Sequence, residues 1–267
     1  MPRSMDQEDQ DIAARLHVTA PLGTGLAVPL EADQAHYLRA VLRLGPGDAL
    51  SLFNGRDGEW LGRIVELAKN RGLVALEAQS RAQGVERDLW LAFAPVKRAR
   101  IDYIAEKATE LGVTRLLPVL TRRTNVARVN TERLQANARE AAEQTERLGV
   151  PVVEAPQPLD RFLERFPASR RLLVCDETGT APPIAAVLKD SAAAAADWAV
   201  LIGPEGGFAP EELDALRKLP FVTAVGLGPR VLRADTAALA SLAVLQALAG
   251  DWNTARGTLT SAGVVPI

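Results

Sequence analysis

The chain contains 267 residues, 48% of them hydrophobic and 24% charged, with a formal net charge of −2; this balance is typical of a globular protein with one large domain or two ordinary ones. No stretch offers the roughly 20 consecutive apolar residues of a membrane-spanning helix, and the acidic first ten residues are unlike a signal peptide. One cysteine and two histidines are too few for a disulfide framework or a structural zinc site, so we expect a cytoplasmic, reduced protein with no metal and no membrane partner.

The first part of the chain, Ile12 to Ala82, has the pattern of a small β-barrel. Short apolar runs separated by turn dipeptides predict strands at Ala49 to Phe53, Glu59 to Val65 and Leu73 to Glu77. The sequence Asn54-Gly55-Arg56-Asp57-Gly58 is typical of a hairpin turn, and Glu31 to Val41 predicts a short helix. We expect a domain over residues 12–84, with the linker at Gln83 to Arg87.

From Leu89 onward, strands and helices alternate, which predicts an α/β domain over residues 88–250 with a mostly parallel sheet. The predicted strands are Leu89 to Ala94, Arg115 to Leu120, Val152 to Ala155, Leu172 to Asp176, Val200 to Gly203 and Ala224 to Leu227. The predicted helices are Ile101 to Leu111, closed by Gly112; a second from a cap at Asn130 or Thr131 through Leu148; Glu211 to Leu219, opened by Pro210; and Ala237 to Ala249. Ala192 to Ala196 is expected as an exposed helix end or loop, and residues 1–11 and 251–267 as flexible tails.

Basic residues concentrate in one region despite the negative total charge. Between Pro95 and Arg128 lie eight basic residues and only three acidic ones. Because binding follows local potential, this cluster fits a nucleic-acid surface as well as it fits ordinary solvated faces. The basic residues best placed by turn and loop position to meet phosphates are Arg39, Arg43, Arg56, Arg122, Arg123 and Arg128.

Two glycine-rich loops follow predicted strands. Ile202 to Phe208 ends one strand and leads to a helix near Pro210, which suits close approach of a ligand to the backbone. It is neither a P-loop nor a dinucleotide fingerprint, and such glycines also make ordinary turns. We expect a side chain at Gly206 or Gly228 to occupy ligand space.

The second loop, Gly226 to Thr236, leads to an almost wholly apolar helix that we expect to be capped by Asp235 or Thr236. Such a helix is buried, either in its own core or in a subunit interface. Arg230 and Arg233 are then charges beside a buried element, with a functional role or a structural carboxylate partner.

The remaining polar candidates are less specific. Glu140, Gln144 and Arg147 share one helix face at helical spacing, which is also the pattern of a solvated face. His17 and His36 are interpreted as barrel residues and Cys175 as a core residue, so no catalytic triad is expected.

Together these segments resemble the RsmE-like family of 16S ribosomal RNA uridine-N3 methyltransferases, of the SPOUT class. The matching motifs are Lys107 to Val113, Glu140-Ala141 with Gln144 and Arg147, Ile202 to Phe208, and Leu227 to Ala237. The resemblance extends from about Ile12 to Leu248. The chain departs from it at Ala234-Asp235, where the family usually has Thr-Glu, so the carboxylate is one methylene shorter.

The resemblance implies a PUA-like RNA-binding barrel, a C-terminal trefoil knot that binds S-adenosylmethionine, and a homodimer acting on 16S rRNA or the 30S subunit. It adds Gln144 and Arg147 to the RNA-binding residues. The implied cofactor-binding residues are Leu201, Ile202, Gly203, Pro204, Glu205, Gly206, Gly207, Leu227, Gly228, Leu232, Thr236 and Ala237.

The implied target sets the chemistry. Uridine N3 is an imide nitrogen that must lose a proton while negative charge spreads onto O2 and O4. Arg233 is the predicted charge-stabilising cation, since its planar guanidinium suits two carbonyl oxygens, and Glu205 or Asp235 is the predicted base. The alternatives are a SPOUT enzyme for another RNA nucleotide, an RNA-binding assembly factor without activity, and a Rossmann-type methyltransferase, which the missing early glycine loop disfavours.

Overall fold

The computed structural model describes residues 12–126, 128–189 and 197–253, which form two compact units. The first unit contains residues 12–85 together with Glu146–Gly149, and the second contains Glu86–Thr145 and the described residues from Val150 onward. The predicted tail 1–11, the segment Ala192 to Ala196 and residues 254–267 of the second tail lie outside the described residues.

The first unit is built on a five-stranded mixed sheet. Its strands are β1 (Ala14–His17), β2 (Ala27–Leu30), β3 (Ala49–Phe53), β4 (Glu59–Leu67) and β5 (Gly72–Arg81), in the order β1-β3-β4-β5-β2. Strand β1 pairs parallel with β3 and the other pairs are antiparallel. Helix α1 (Ala32–His36) runs on into a π-helical turn, Tyr37–Val41. The predicted helix and the three predicted strands are confirmed; β1 and β2, each of four residues, were not predicted.

The predicted hairpin turn between β3 and β4 is confirmed. The side-chain carbonyl of Asn54 accepts hydrogen bonds from the backbone N–H of Arg56 (3.0 Å) and Asp57 (2.8 Å). Gly58 has a φ of +77°, and a Cβ at this position would overlap the carbonyl oxygen of Arg81. Only glycine adopts this conformation without steric cost, so the turn residues fix the register of the hairpin.

The second unit contains a seven-stranded parallel sheet, which confirms the predicted α/β class. Its strands are β6 (Leu89–Phe93), β7 (Val113–Leu120), β8 (Val152–Val153), β9 (Gln157–Pro158), β10 (Arg171–Cys175), β11 (Trp198–Ile202) and β12 (Val222–Val225). Their order is β12-β10-β11-β6-β7-β8, with β9 also beside β7. The helices are α2 (Arg98–Glu110), α3 (Thr131–Gln144), α4 (Leu159–Glu164), α5 (Ile184–Leu188), α6 (Pro210–Arg217) and α7 (Ala234–Ala249). Apolar cores lie on both faces of the sheet, as a parallel sheet requires.

Several helix ends follow the predicted signals. The side chain of Asn130 accepts from the Arg133 backbone N–H at 3.0 Å and begins α3. Gly112, with a φ of +86°, follows the end of α2, and Pro210 opens α6. The predicted cap of the last helix is wrong: α7 begins at Ala234 with Arg233 as the N-cap residue, so Asp235 lies inside the first turn.

The predicted extension of α3 to Leu148 is also wrong. The helix ends at Gln144, and Glu146 adopts a φ of +58° that turns the chain away. Arg147 and Leu148 therefore do not share a helix face with Glu140 and Gln144; they belong to the first unit.

A buried carboxylate in the first unit explains why the segment Glu146–Gly149 packs there. Glu59 forms ion pairs of 2.5 Å with Arg15 and with Arg81 and accepts from Ser51 at 2.6 Å. The same two arginines donate to backbone carbonyls of the segment, Arg15 to Arg147 and Arg81 to Glu146, each at 2.7 Å. Burial raises the pKa of Glu59, but the Ser51 and arginine contacts outweigh it, so the pKa lies below its ordinary value.

Helix α7 is buried along one side only. Ala238, Ser241, Leu242 and Leu245 are buried, whereas Leu239, Ala240, Ala243, Val244 and Leu248 on the remaining sides are partly exposed. An apolar helix face of this kind needs cover. No helix in the described part of the chain has the length and hydropathy to cross a membrane.

Candidate functional site

A cavity of about 800 Å³ opens in the second unit where β10, β11 and β12 end. Its walls come from the segments that follow these strands, within 175–183, 202–207 and 226–234, together with Arg100 and Ala237. The carboxyl ends of parallel strands are the usual place for a ligand in an open α/β sheet. The two glycine-rich loops predicted from the sequence form two of the three walls.

The loop after β11 depends on glycine at two positions. A Cβ on Gly203 would lie 2.9 Å from the ring of buried Phe208, and Gly207 has a φ of +68°. A side chain on Gly207 would also overlap the Glu177 carboxylate. Gly206, by contrast, faces Arg123, whose nearest atoms are 3.8 Å from where a Cβ would stand, and it does not line the cavity. In this structure a side chain at Gly206 would therefore face Arg123 and not the cavity.

The loop after β12 is held by hydrogen bonds at Gly226 and has free space around Gly228. The N–H of Gly226 donates to the Pro182 carbonyl at 2.8 Å, and the carbonyl of Gly226 accepts from Ile184 at 3.0 Å. Gly228 has a φ of +103° with no atom within 4 Å of where its side chain would begin. This leaves free space at the cavity wall beside Gly228.

The loop after β10 was not predicted as part of the site. The Asp176 carboxylate is fully buried and accepts from the Thr178 N–H at 2.8 Å and from Arg217 at 2.6 Å. Burial raises the pKa of Asp176, but hydrogen bonds from Thr178 and the charge of Arg217 hold it below its ordinary value. Asp176 thus anchors the loop that carries Glu177 to the cavity. The sequence feature that could have indicated this loop is the pair of carboxylates, Asp176 and Glu177, at the end of a predicted strand.

Cys175 lines the cavity but belongs to the core, as predicted. Burial raises the pKa of Cys175 to about 12. The thiol therefore stays protonated at neutral pH and is a poor nucleophile there.

Three arginines lie at the cavity with different partners. Arg100, in the first turn of α2, is ion-paired with Glu205, and its Nε is 4.0 Å from the Asp235 carboxylate. Arg230 and Arg233 are exposed, and neither forms an ion pair with any described residue. Of the two alternatives for Arg230 and Arg233, a structural carboxylate partner is therefore not found among the described residues, and a functional role stays a prediction. Within the described residues, no group of three or more His, Cys, Asp or Glu side chains is arranged to hold a metal ion.

Most of the predicted cofactor-binding and catalytic residues come together at this cavity, although their roles stay predictions. Those that line it are Ile202, Gly203, Pro204, Glu205, Gly207, Leu227, Gly228, Leu232, Arg233 and Ala237. Leu201, Gly206, Asp235 and Thr236 do not line it. Leu201 and Ile202 face opposite sides of the sheet, because successive strand residues alternate. Leu201 therefore packs in the apolar core on the other side of the sheet from Ile202.

The predicted RNA-binding residues are distributed over both units. Arg39, Arg43 and Arg56 are exposed in the first unit, where Arg56 donates to the Thr19 carbonyl at 3.1 Å. In the second unit, Arg122 pairs with Glu211 at 3.2 Å, Arg123 donates to the Gly206 carbonyl at 2.9 Å, and Arg128 is exposed. The side chain of Gln144 donates to Glu140 at 3.1 Å.

The sequence relatives of the chain identify its family. Residues 84–246 match the RNA methyltransferase domain, and residues 30–77 match the RNA methyltransferase PUA domain. A Synechocystis protein named Ribosomal RNA small subunit methyltransferase E is 35% identical over 89% of this chain and 78% of its own length. Its namesake from Rickettsia conorii is 32% identical over 88% of this chain and 95% of its own length. The chain belongs to the ribosomal RNA small subunit methyltransferase E family.

Solved structures support the same assignment. The ribosomal RNA small subunit methyltransferase E of Neisseria gonorrhoeae, bound to S-adenosylmethionine, superposes with a TM-score of 0.79 at 28% identity, covering 90% of this chain and 99% of that one. A putative methyltransferase from Legionella pneumophila, in complex with the same cofactor, has a TM-score of 0.77 at 28% identity, covering 88% and 97%. The predicted family and the PUA-like and α/β domains are thereby confirmed, whereas the trefoil knot stays a prediction.

Proposed function

We propose that this chain transfers a methyl group from S-adenosylmethionine to N3 of a uridine in small-subunit ribosomal RNA. Membership of the ribosomal RNA small subunit methyltransferase E family supports the reaction and the class of substrate. The observation that carries the proposal is the glycine-walled cavity at the ends of three parallel strands, with Arg230 and Arg233 exposed beside it.

The cavity walls fit S-adenosylmethionine. A volume of about 800 Å³ is within the usual range for sites of small ligands and cofactors. Ile202, Leu227 and Leu232 offer apolar contacts for an adenine ring, the Glu177 carboxylate can accept hydrogen bonds from hydroxyl or ammonium groups, and the glycines expose backbone groups. When bound, the cofactor supplies a methyl group already activated on a sulfonium.

The residues of the chain then have to activate the uridine. Glu205 or Asp235 accepts the N3 proton, and Arg233 stabilises the negative charge that develops on the two carbonyl oxygens. Arg233 suits this role because it lines the cavity with its donors uncommitted to any described carboxylate. Its planar guanidinium can donate to two oxygens at once.

RNA capture is assigned to basic residues of both units together with Gln144. Arg39, Arg43 and Arg56 act from the first unit, which contains the PUA match, and Arg122, Arg123, Arg128 and Gln144 act from the second. Arg147 is included because the family motif contains it. Each of these side chains offers donors for phosphate oxygens.

The active form is proposed to be a homodimer that acts in the cytoplasm, where its ribosomal substrate is assembled. The partly exposed apolar sides of α7 support a dimer, because a second copy could cover them. A methyltransferase for another RNA nucleotide is the alternative, and the product separates the two.

The deciding experiment compares ribosomal RNA from a strain that lacks the gene with RNA from its parent. Nucleoside mass spectrometry and position mapping should show one 3-methyluridine of small-subunit RNA missing, and the cloned gene should restore it. An unchanged modification pattern, or the loss of a methyl group from a different kind of nucleotide, would contradict the proposal.

A further inference from the structure

The geometry points to Arg100 as a positioning residue that holds the Glu205 carboxylate at the cavity, with the Asp235 carboxylate beside it, and acts on methyl transfer through them. This inference rests on the proposed function. Arg100 comes from the basic region between Pro95 and Arg128, where its sequence context indicates only a cluster of charges.

Arg100 lies close to both predicted bases, Glu205 and Asp235. Its Nη1 forms an ion pair with Glu205, and its Nε lies 4.0 Å from the Asp235 carboxylate. The side chains are 34% exposed for Arg100, 43% for Glu205 and 20% for Asp235. Arg100 and Glu205 both line the cavity. One cation thus pairs with a carboxylate of the loop after β11 and lies near a second one in the first turn of α7.

The position of Arg100 in its helix is unfavourable by local rules. It lies in the first turn of α2, where the helix dipole disfavours a positive charge. Asp235 lies in the first turn of α7, where a negative charge is favoured, and α2 packs against α7. The stability of α2 therefore does not explain an arginine here, whereas two facing carboxylates do.

For the reaction, the ion pair with Arg100 fixes the orientation of the Glu205 carboxylate. A half-exposed glutamate has several accessible rotamers, and an ion pair with a planar guanidinium restricts them. A carboxylate that accepts the N3 proton has to be held close to the uridine, and small misplacements of a reacting group lower rates strongly. Arg100 also reduces the repulsion between the two negative charges.

The test is a double-mutant cycle on single-turnover methyl transfer. Arg100→Gln should lower the maximal rate by about tenfold to a hundredfold and leave the RNA concentration at half-maximal rate nearly unchanged. Arg100→Lys, which keeps the charge, should recover part of the rate. In the background of Glu205→Gln or Asp235→Asn, whichever removes the base, Arg100→Gln should add little further loss.

The matched control is Arg115→Gln. Arg115 forms a 2.9 Å ion pair with Glu154 in the same unit, with side chains 44% and 37% exposed, and it does not line the cavity. This variant should transfer methyl groups at the wild-type rate. Calorimetric titration should show S-adenosylmethionine binding unchanged in Arg115→Gln.

Three results would overturn the inference: a wild-type rate for Arg100→Gln, a loss seen only in RNA affinity, or an equal loss of rate in the wild type and in both carboxylate backgrounds.

A crystal structure of Arg100→Gln gives a readout that does not need methyl transfer. The Glu205 side chain should leave its position at the cavity, and an unmoved Glu205 would refute positioning. If the wild-type chain methylates no ribosomal RNA, the proposed function fails, while this structural comparison still decides the role of Arg100.

Discussion

Arg100 and Arg233 differ in what their charges do at the cavity. Arg100 is neutralised by carboxylates, whereas Arg233, the N-cap residue of α7, has no ion-pair partner among the described residues. A cation that is to meet developing negative charge must be available in the resting site, because a guanidinium already paired would first have to leave its partner. This difference is why Arg233 is assigned to charge stabilisation and Arg100 to positioning.

Replacing Arg233 should separate binding from chemistry. Arg233→Ala should still bind S-adenosylmethionine in a calorimetric titration, while methyl transfer falls by about two orders of magnitude, the usual effect of losing one charge-stabilising donor. Arg233→Lys should recover little, since an ammonium cannot donate to two carbonyl oxygens in the same geometry. Wild-type turnover by Arg233→Ala would remove this residue from the mechanism.

At the scale of elements, the loop after β11 offers a matched pair of glycines. Gly207 lines the cavity with a φ of +68°, whereas Gly206 faces Arg123 outside it. Gly207→Ala should weaken cofactor binding by about tenfold or more, because the left-handed conformation costs roughly 1–2 kcal/mol for a residue with a Cβ and the methyl group displaces Glu177. Gly206→Ala should bind with nearly wild-type affinity. Calorimetric titration of both variants measures the affinity for S-adenosylmethionine. An equal loss of affinity in the two variants would contradict the assignment of Gly207, and not Gly206, to the cavity wall.

The sheet of the first unit should lose stability in acid through Glu59. Its pKa is lower in the folded state than the ordinary value of 4.5, so its stabilising contribution is present above that value and is lost as the pH falls through the folded pKa. Glu59→Gln should remove this pH dependence and cost about 3 kcal/mol or more at neutral pH, because the largely buried guanidinium of Arg15 loses the carboxylate that neutralises it. Urea unfolding at several pH values measures both effects.

Glu77→Gln is the control for this experiment. Glu77 pairs with Arg63 at 2.8 Å on the same sheet, but both side chains are more than 40% exposed. Its loss should change the free energy of unfolding by less than about 1 kcal/mol. A similar loss for Glu59→Gln and Glu77→Gln would show that burial of Glu59 does not matter.

The elements also show which parts of the structure the sequence could predict. The β3–β4 hairpin and the starts of α3 and α6 follow from local chemistry, in Asn54-Gly55, Asn130 and Pro210. The end of α3 does not, since the bend at Glu146 is held by Arg15 and Arg81, which are far away in sequence. Likewise, the glycines of the cavity loop could be recognised, but which of Gly206 and Gly207 faces the ligand depends on the packing of Glu177 and Arg123. The pairing of Arg100 with Glu205 joins residues 105 positions apart and has no local signal.

For the whole molecule, the partly exposed apolar side of α7 determines how copies of the chain associate. We expect a second copy of the chain to pack against Leu239, Ala240 and Ala243. Ala243→Glu should place a charge in that interface and shift the protein from dimer to monomer in sedimentation at micromolar concentration. Ala215→Glu, on the exposed side of α6, should leave the dimer intact. A wild-type monomer with full activity would contradict the dimer.

We propose that this chain itself methylates N3 of a ribosomal uridine. The most direct measurement incubates the purified protein with labelled S-adenosylmethionine and small ribosomal subunits from the deletion strain, followed by mass spectrometry of the nucleosides. We expect one label per subunit, recovered as 3-methyluridine, and almost none with Arg233→Ala. Label in another nucleoside, or no label with the wild-type protein, would contradict it.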